Sequence, residues 1–152
     1  MTAVDFGCGS GGWVIPLAKE IEEGKVIAVD ILEEPLSALK SRAKLEKINN
    51  IETMLGDTEK GTDVLDKSAD LVLMTNLLFE CEDRKKVLEE GKRVLKNKGK
   101  ILIVDWRPDA PLGPKEGRIS AEEVKETAAD TGFKLKKEFE AGSYHYGLIF
   151  ER

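Results

Sequence analysis

Residues 4–13 read VDFGCGSGGW, and this stretch decides which fold the chain can adopt. It begins as the end of a buried strand, continues through a glycine-rich loop and leads into the first turn of a helix. Glycine has no Cβ, so such a loop can adopt positive φ and let a ligand lie against bare backbone. The helix behind it presents unpaired N–H groups and a partial positive charge. The stretch therefore predicts a binding site for part of a nucleotide-like cofactor.

The glycine spacing fits two classes of cofactor. Gly7, Gly9 and Gly12 match the G-x-G-x-x-G pattern of dinucleotide-binding folds. Gly7, Gly9 and Gly11, with Asp5 two residues before the first of them, match equally well the acidic-x-G-x-G-x-G loop of class I methyltransferases that depend on S-adenosyl-L-methionine (SAM). An ordinary strand-to-helix turn does not need so many glycines. The elements further along the chain must separate the two classes.

Composition limits the kinds of protein that the chain can be. Its 152 residues, 41% hydrophobic and 35% charged, predict one globular domain over residues 1–152. A net charge of −5 argues against a nucleic-acid surface, which usually carries a basic stripe. Two cysteines are too few for a disulfide scaffold or a self-contained zinc site, so we expect no metal. With no signal peptide and no apolar run long enough for a bilayer, we expect a cytoplasmic protein.

Apolar runs and turn residues predict an alternation of strands and helices after the loop. The predicted strands are residues 25–30, 51–55, 69–74 and 101–104, with a polar loop at 58–67 and a turn at 96–99. Helices are predicted from about Trp13, from Pro35, after Asp83 and after Ser120, the last two residues being N-caps. A long loop at 105–118 and a hairpin of strands 133–139 and 144–150 complete the pattern. This order predicts an α/β fold with a parallel sheet and helices on both faces.

The motifs at the strand ends resemble class I SAM-dependent methyltransferases over nearly the whole chain. They are the glycine loop, Asp30, Gly56-Asp57, LVLMTN at 71–76, LKNKGKILIV at 95–104 and the closing hairpin. A dinucleotide-binding domain would instead end in a sixth parallel strand. The resemblance implies a Rossmann-like three-layer αβα sandwich. Its mostly parallel, seven-stranded sheet would hold the last strand antiparallel between the fifth and the sixth.

A narrower resemblance rests on four short segments in the second half of the chain. They are DWRP at 105–108, GP at 113–114, RIS at 118–120 and YHYG at 144–147. These segments are similar to the type 11 methyltransferases, the group that includes enzymes of ubiquinone and menaquinone biosynthesis. The resemblance implies a small-molecule acceptor without naming it.

The resemblance further implies that the cofactor is SAM, with S-adenosylhomocysteine as the product. The glycine loop would face the methionine portion and the ribose, and the methyl group would lie near the end of the fourth strand. The cofactor-binding positions implied in this way are Asp5, Gly7, Cys8, Gly9, Ser10, Gly11, Asp30, Ile31, Asp57, Thr58 and Asn76.

The resemblance implies a role in cofactor binding for each acidic residue among these positions. Asp5 would brace the loop amides or reach the methionine ammonium through water. Asp30 would accept hydrogen bonds from both ribose hydroxyls, a contact that NAD would also make. Asp57 would accept a hydrogen bond from the adenine amine, with Thr58 beside it and Ile31 packed on the ring. The acids alone therefore do not separate SAM from NAD.

The acceptor and the catalytic residue are less closely defined. Amine methyltransferases of nucleic acids carry an Asn- or Asp-Pro-Pro-aromatic motif where this chain has NLLF at 76–79, which argues against a nucleic-acid acceptor. Methyl transfer is an in-line displacement, and it needs a base only when the acceptor is protonated. Polar residues near the strand ends are candidates, with none assigned as catalytic: Glu80, Asp105, Arg107, Tyr144, His145 and Tyr146.

Members of the resembled family usually carry helices before the first strand, whereas only three residues precede Val4 here. We therefore expect the N-terminal cap helices to be absent. The pocket is then open on one side, or a second copy, a partner chain or another part of a longer protein closes it. The predicted function is SAM-dependent methyl transfer to a small molecule. The alternatives are a non-catalytic SAM-binding subunit of a larger or heteromeric methyltransferase and, with less support, an NAD-dependent dehydrogenase.

Overall fold

A single mixed sheet forms the centre of the molecule in a computed structural model that describes residues 1–152. Its strands are β1 (Thr2–Phe6), β2 (Lys25–Asp30), β3 (Ile51–Leu55), β4 (Ala69–Thr75), β5 (Leu95–Trp106), β6 (Lys134–Glu140) and β7 (His145–Glu151). They lie in the order β3-β2-β1-β4-β5-β7-β6. Strands β1 to β5 run parallel, and β7 is antiparallel to both β5 and β6. The fold class expected from the sequence is confirmed.

Four helices cover the sheet from its two sides. They are α1 (Val14–Glu20), α2 (Glu33–Leu45), α3 (Arg84–Val94) and α4 (Ala121–Asp130), with a single 3₁₀ turn at Leu78–Glu80. The Asp83 carboxylate accepts a hydrogen bond from the Lys86 N–H at 3.2 Å, and the Ser120 hydroxyl accepts one from the Glu123 N–H at 3.1 Å. Both predicted N-caps are thereby confirmed. None of the helices is long and apolar enough to span a membrane.

Several element boundaries differ from the sequence prediction. Strand β5 extends to Trp106, so the loop predicted at 105–118 begins at residue 107. Helix α1 ends at Glu20 rather than at Gly24, and Pro35 is the third residue of α2 rather than its first. The turn predicted at 96–99 lies inside β5, because Leu95 pairs with Ala69 and the next paired residue, Lys100, lies opposite Leu71. Residues 96–99 thus form a bulge, which the partner strand β4 imposes on a sequence that would turn if it were isolated.

The two faces of the sheet are covered unequally. A core of 22 buried residues fills the space between the sheet and helices α3 and α4, whereas the core beneath α1 and α2 has only 9. The difference arises from where the helices lie. Helix α1 packs on β2, and α2 packs on β2 and β3. Strands β5, β6 and β7 are contacted by α3 and α4, which lie on the other side of the sheet. On the α1 side, Leu102, Val104 and Ile149 are therefore only partly buried. We call this region, the α1-side surface of β5, β7 and β6, the open half-face.

Candidate cofactor and acceptor site

The first cavity lies at the carboxyl ends of β1 to β4 and has a volume of about 340 Å³. In the strand order, β1 lies next to β4. The chain leaves the end of β1 toward β2 and the end of β4 toward β5, in opposite directions, so a crevice opens between these two strand ends. Open α/β sheets bind their ligands at such a switch point. The cavity is lined by Gly7, Gly9, Asp30, Ile31, Leu32, Pro35, Gly56, Asp57, Thr58, Glu59, Asn76, Leu77, Glu80 and Cys81. We call it the cofactor cleft.

The glycine loop adopts the conformation that only glycine takes without strain. Gly7, Gly9 and Gly11 have φ of +71°, +55° and +95°. A Cβ on Gly7 would lie 2.9 Å from a methyl carbon of Leu77, and one on Gly11 would lie 2.4 Å from a methyl carbon of Leu39. A Cβ on Gly9 would meet no protein atom within 4 Å. The positive φ thus favours glycine at all three positions; a Cβ at the first or third would also displace the end of a leucine side chain, whereas the middle glycine lines the cleft.

Asp30 holds this loop in place from the end of β2. Its Oδ2 accepts a hydrogen bond from the Gly9 N–H at 2.9 Å, and its Oδ1 accepts one from the Leu32 N–H at 3.0 Å. An ionised carboxylate has about four acceptor positions, so each oxygen keeps a free lone pair. Asp30 lines the cleft and remains able to accept further hydrogen bonds from a ligand, such as the predicted ribose contact.

Asp5 lies beneath the loop rather than in the cleft. Only 1% of its surface is exposed, it pairs in register with Ala28 and Leu73, and its Oδ1 has no hydrogen-bond partner. Burial, helped by the nearby charge of Asp30, raises the pKa of Asp5 to about 7. The brace of the loop amides that the sequence assigned to Asp5 is made by Asp30. A contact of Asp5 with a methionine ammonium stays a prediction.

The other predicted positions divide into those that line the cleft and those that do not. Ile31, Asp57, Thr58 and Asn76 line it, and Ile31 is 60% exposed. Cys8, Ser10 and Gly11 do not line it. Burial, followed by the negative charges of Asp5 and Asp30, raises the pKa of the Cys8 thiol to about 12, so that thiol stays neutral.

Several lining residues were not predicted from the sequence. Leu32 and Pro35 follow Asp30, so their proximity to a strand end was a signal that could have found them. Leu77, Glu80 and Cys81 enter the cleft because the chain turns sharply after β4, where Asn76 has a φ of +52° and the 3₁₀ turn follows. No hydrophobic period marks so short a turn, and the sequence carries no signal for it.

A second, mostly apolar cavity of about 470 Å³ opens on the open half-face. Its lining consists of Trp13, Thr75, Asn76, Leu102, Val104, Phe139, Ala141 and His145. Asn76 lines both this cavity and the cofactor cleft, so the two cavities are neighbours at the end of β4. We call it the apolar cavity.

Of four candidate catalytic residues, two line a cavity and two are buried in the core. His145 lines the apolar cavity and Glu80 lines the cofactor cleft. Tyr146 is buried, and its hydroxyl donates a hydrogen bond to the Ile119 carbonyl at 2.6 Å. Asp105 is also fully buried, on the α3 side of the sheet, and its Oδ1 accepts a hydrogen bond from the Trp106 N–H at 2.8 Å. These last two side chains hold the fold and do not reach either cavity.

Two further candidates, Arg107 in the loop after β5 and Tyr144 in the hairpin between β6 and β7, lie next to each other. The Arg107 guanidinium pairs with Asp109 at 3.1 Å and donates a hydrogen bond to the Ser143 carbonyl. The Arg107 N–H in turn donates to the Tyr144 carbonyl at 2.9 Å. Both residues therefore tie the loop to the hairpin between β6 and β7, and neither lines a cavity.

The loop at residues 107–119 is wound around one side chain. The Arg118 guanidinium donates hydrogen bonds to five backbone carbonyls, those of residues 107, 108, 110, 112 and 114, at 2.6–3.2 Å. Gly113 lies so close to the Trp106 ring that a Cβ there would be 2.6 Å from it. The Trp106 ring packs in turn on the His145 ring, with 4.2 Å between the centroids. The loop thus supports one wall of the apolar cavity.

This strand order, with a glycine loop after β1 and acids after β2 and β3, defines the class I SAM-dependent methyltransferase fold. The family model described as "Methyltransferase domain" matches residues 1–145, and the chain belongs to that family.

Known proteins extend the comparison. A demethylmenaquinone methyltransferase of Bacillus cereus is 30% identical over 118 residues, which are 77% of this chain and 49% of that protein. The chain spans about half the length of the curated relatives that it matches. The crystal structure of a SAM-dependent methyltransferase from Aquifex aeolicus superposes with a TM-score of 0.92 at 29% identity, over 99% of this chain and 81% of that one.

The fold also occurs in a protein with a different activity. The [4+2]-cyclase SpnF superposes with a TM-score of 0.89 at 13% identity, over 99% of this chain and 74% of that chain. At such low identity the likeness concerns the fold alone. A function for this chain must therefore be argued from its own site.

Proposed function

We propose that this chain, acting as one domain over residues 1–152, transfers a methyl group from SAM to a small-molecule acceptor. The observation that carries the proposal is that Asn76 lines both the cofactor cleft and the apolar cavity, which makes the two cavities neighbours. A two-substrate transfer needs two adjoining sites, so that donor and acceptor can be held in line. The cofactor cleft would hold SAM, and the apolar cavity would hold the acceptor.

The charge of the cofactor cleft favours SAM over a dinucleotide. Its ionisable carboxyl groups belong to Asp30, Asp57, Glu59 and Glu80, and no lysine or arginine lines it. SAM carries a positive sulfonium and a positive ammonium, which this arrangement attracts. The pyrophosphate of NAD carries two negative charges, which the same carboxylates would repel. The acidic lining therefore supports a cationic cofactor.

The predicted contacts fit this placement of SAM. Asp30 would accept hydrogen bonds from the ribose hydroxyls with its free lone pairs, while Asp57 and Thr58 would flank the adenine and Ile31 would pack on it. The methionine portion would extend along the glycine loop toward Asp5. The methyl group would then lie near Asn76, facing the apolar cavity.

The transfer itself is an in-line displacement. The bond between the methyl carbon and sulfur breaks as the bond between that carbon and the acceptor forms, and the sulfonium becomes the neutral thioether of S-adenosylhomocysteine. Holding the three atoms collinear supplies most of the acceleration, since orientation can contribute on the order of 7–11 kcal/mol.

A second candidate is a SAM-binding subunit that does not itself transfer methyl groups. The open half-face favours it, because a second copy, a partner chain or another part of a longer protein could complete the helix-free wall of the apolar cavity. In that arrangement the isolated chain would bind SAM and produce no methylated product.

One assay separates the two candidates. Purified chain is incubated with SAM and a panel of low-mass hydroxyarenes, amines and thiols, and formation of S-adenosylhomocysteine is followed by mass spectrometry. We expect acceptor-dependent formation of this product. Binding of SAM without product for any acceptor would favour the subunit, and absence of SAM binding would contradict both candidates.

A further inference from the structure

His145 is the only histidine of the chain and the most polar part of the apolar cavity apart from its border with the cofactor cleft. It is the first residue of β7 and pairs in register with Trp106. The two rings lie 4.2 Å apart at an angle of 38°, so Trp106 fixes the position of the imidazole. Thr75 and Asn76 are the other polar residues of the lining, and an apolar cavity with a few placed polar groups is the usual design of a small-molecule site.

The imidazole lacks a hydrogen-bond partner within the protein. Its Nε2 is buried and unpaired, and five of the eight residues that line the cavity, Phe139 and Val104 among them, are hydrophobic. A buried polar atom without a partner costs about 1–3 kcal/mol. Native structures retain few such atoms, and each calls for a specific reason. Because Nε2 is enclosed, a ligand in the cavity that His145 lines becomes its partner when the ring turns toward the cavity, and such a contact would be that reason.

The charged groups around His145 leave it neutral near pH 7. Burial lowers the pKa of His145 below its ordinary value, and no charged neighbour contributes to that shift. Asp105 and Glu140 pair with Tyr146 and so lie on the opposite face of the sheet. On the same face, Lys137 lies over the Phe139 ring, and at the end of β5 Arg107 is paired with Asp109. A neutral imidazole keeps one nitrogen lone pair that can accept a proton.

We propose that His145 is a catalytic residue that accepts the hydroxyl proton of a largely apolar, hydroxylated acceptor bound in the apolar cavity. The inference rests on the proposed function and names the acceptor class. The acceptor oxygen attacks the methyl carbon, the carbon–sulfur bond breaks, and the hydroxyl proton passes to the imidazole, which later releases it to water. The products are the methyl ether, S-adenosylhomocysteine and one proton, so that charge is conserved.

The chemistry of the cavity selects a hydroxyl over other acceptors. An aliphatic amine is a charged ammonium at neutral pH, and an apolar cavity would exclude it because of its desolvation cost. An aromatic hydroxyl has a pKa near 10, so it enters as the neutral form and then needs a base. One proton donor on the acceptor matches one free lone pair on His145.

A pair of matched probes tests binding without any variant. The single histidine of ¹⁵N-histidine-labelled protein is observed by NMR in the presence of S-adenosylhomocysteine, first with 1-naphthol and then with 1-methoxynaphthalene, which has the same ring and no donor. We expect 1-naphthol to shift the ring nitrogen signal and to bind about fivefold or more tightly than the ether. Equal affinities with no nitrogen shift, or no binding of 1-naphthol, would overturn the inference.

The catalytic part is tested with His145→Gln and with Tyr144→Phe as a neighbouring control. In wild-type protein, transfer from SAM to 1-naphthol should fall at low pH as the imidazole becomes protonated. His145→Gln should lower the rate at pH 7 at least 100-fold, with SAM affinity unchanged and with partial recovery above pH 9, where naphtholate forms without a base. The control should keep the wild-type rate and pH profile.

The outcomes separate this inference from the proposed function. Wild-type activity with an unchanged rate and pH profile in His145→Gln would overturn only the part assigned to His145. A wild-type chain that does not bind SAM would overturn the proposed function itself. If His145→Gln does not fold, the probe pair on the wild-type protein still decides the matter.

Discussion

At the scale of single residues, Asp5 and Asp30 show how two carboxylates near one loop acquire different tasks. Asp30 is partly exposed, makes two backbone hydrogen bonds and holds Gly9 in place. Asp5 is enclosed, and one of its oxygens has no partner. A buried carboxyl without partners lowers the stability of the folded protein, a cost that functional sites often tolerate.

The pKa of Asp5 predicts a pH-dependent stability. The folded-state pKa of about 7 lies above the ordinary value of 3.8, so between these values the folded protein holds a proton that the unfolded chain has lost. The free energy of unfolding should therefore fall as pH rises from about 4 to 7 and should then level off, with a total change on the order of 4 kcal/mol. Asp5→Asn should remove this decline and be the more stable protein at pH 8.

Urea unfolding at pH 5 and at pH 8 measures this effect, with the exposed Asp63→Asn as the control. The control should keep the wild-type dependence on pH. An Asp5→Asn protein whose stability declines between pH 5 and 8 as steeply as that of the wild type would show that Asp5 is ionised in the folded state throughout.

The middle glycine of the loop allows a test of the cofactor cleft. Gly9 and Gly142 both have positive φ, +55° and +78°, and a Cβ added at either would meet no protein atom within 4 Å, but only Gly9 lines the cleft. Alanine at either position should cost roughly 1 kcal/mol of stability through backbone strain. Only Gly9→Ala should weaken SAM binding, by tenfold or more. Equal SAM affinities for the two variants would show that the cofactor does not lie against this loop.

At the scale of elements, the loop at residues 107–119 depends on Arg118. Arginine presents five N–H donors in a fixed planar fork, which suits it to gather several carbonyls at once. Arg118→Lys keeps the charge and loses the fork. We expect it to lower the free energy of unfolding by roughly 1–3 kcal/mol and to speed hydrogen exchange across residues 107–117.

Hydrogen exchange followed by mass spectrometry checks this expectation, with the exposed Lys115→Met in the same loop as the matched control. Because the loop supports Trp106 and thereby His145, Arg118→Lys should also weaken binding in the apolar cavity while SAM binding persists. Unchanged exchange in the variant would show that the loop is held by its prolines and packing rather than by the guanidinium.

The elements also show which features a sequence can predict. The parallel strands were predicted because buried strands are continuous apolar runs, and the N-caps at Asp83 and Ser120 because capping is local. The bulge at 96–99 was missed because its cause is pairing with β4, a contact distant in sequence. The brace from Asp30 to Gly9 was missed for the same reason, since it joins the end of β2 to the loop after β1, 21 residues apart in sequence.

At the scale of the whole molecule, the apolar cavity results from where the helices lie. Nothing in the residues Leu102 or Val104 indicates that they line a cavity, because their apolar run is the same as that of any buried strand. Their partial exposure follows from the positions of α1 and α2, which pack on β2 and β3 and leave β5 uncovered on that face. The cofactor cleft could be predicted from the strand-end motifs, whereas the apolar cavity required the structure.

The acidic charge of the molecule and of its cofactor cleft predicts a response to salt. The chain carries a net charge of −5, and the cleft is lined by carboxylates without a basic residue. SAM carries one positive charge more than S-adenosylhomocysteine. Raising the salt concentration from about 0.05 to about 0.5 M should therefore weaken SAM binding more than binding of the product. Salt screens the attraction between the carboxylates and the sulfonium, and the product has no sulfonium. Equal salt dependence of both ligands in calorimetry would mean that the sulfonium lies away from these carboxylates.

The central claim, that the glycine loop and its acids hold SAM, is tested most directly by isothermal titration calorimetry of one protein with two cofactors. SAM and NAD are titrated separately into the wild-type chain and into Gly9→Ala. We predict one SAM site per chain in the wild type, at least tenfold weaker in Gly9→Ala, and no binding of NAD to either protein. Binding of NAD that is lost in Gly9→Ala, or SAM binding that Gly9→Ala leaves unchanged, would contradict the account.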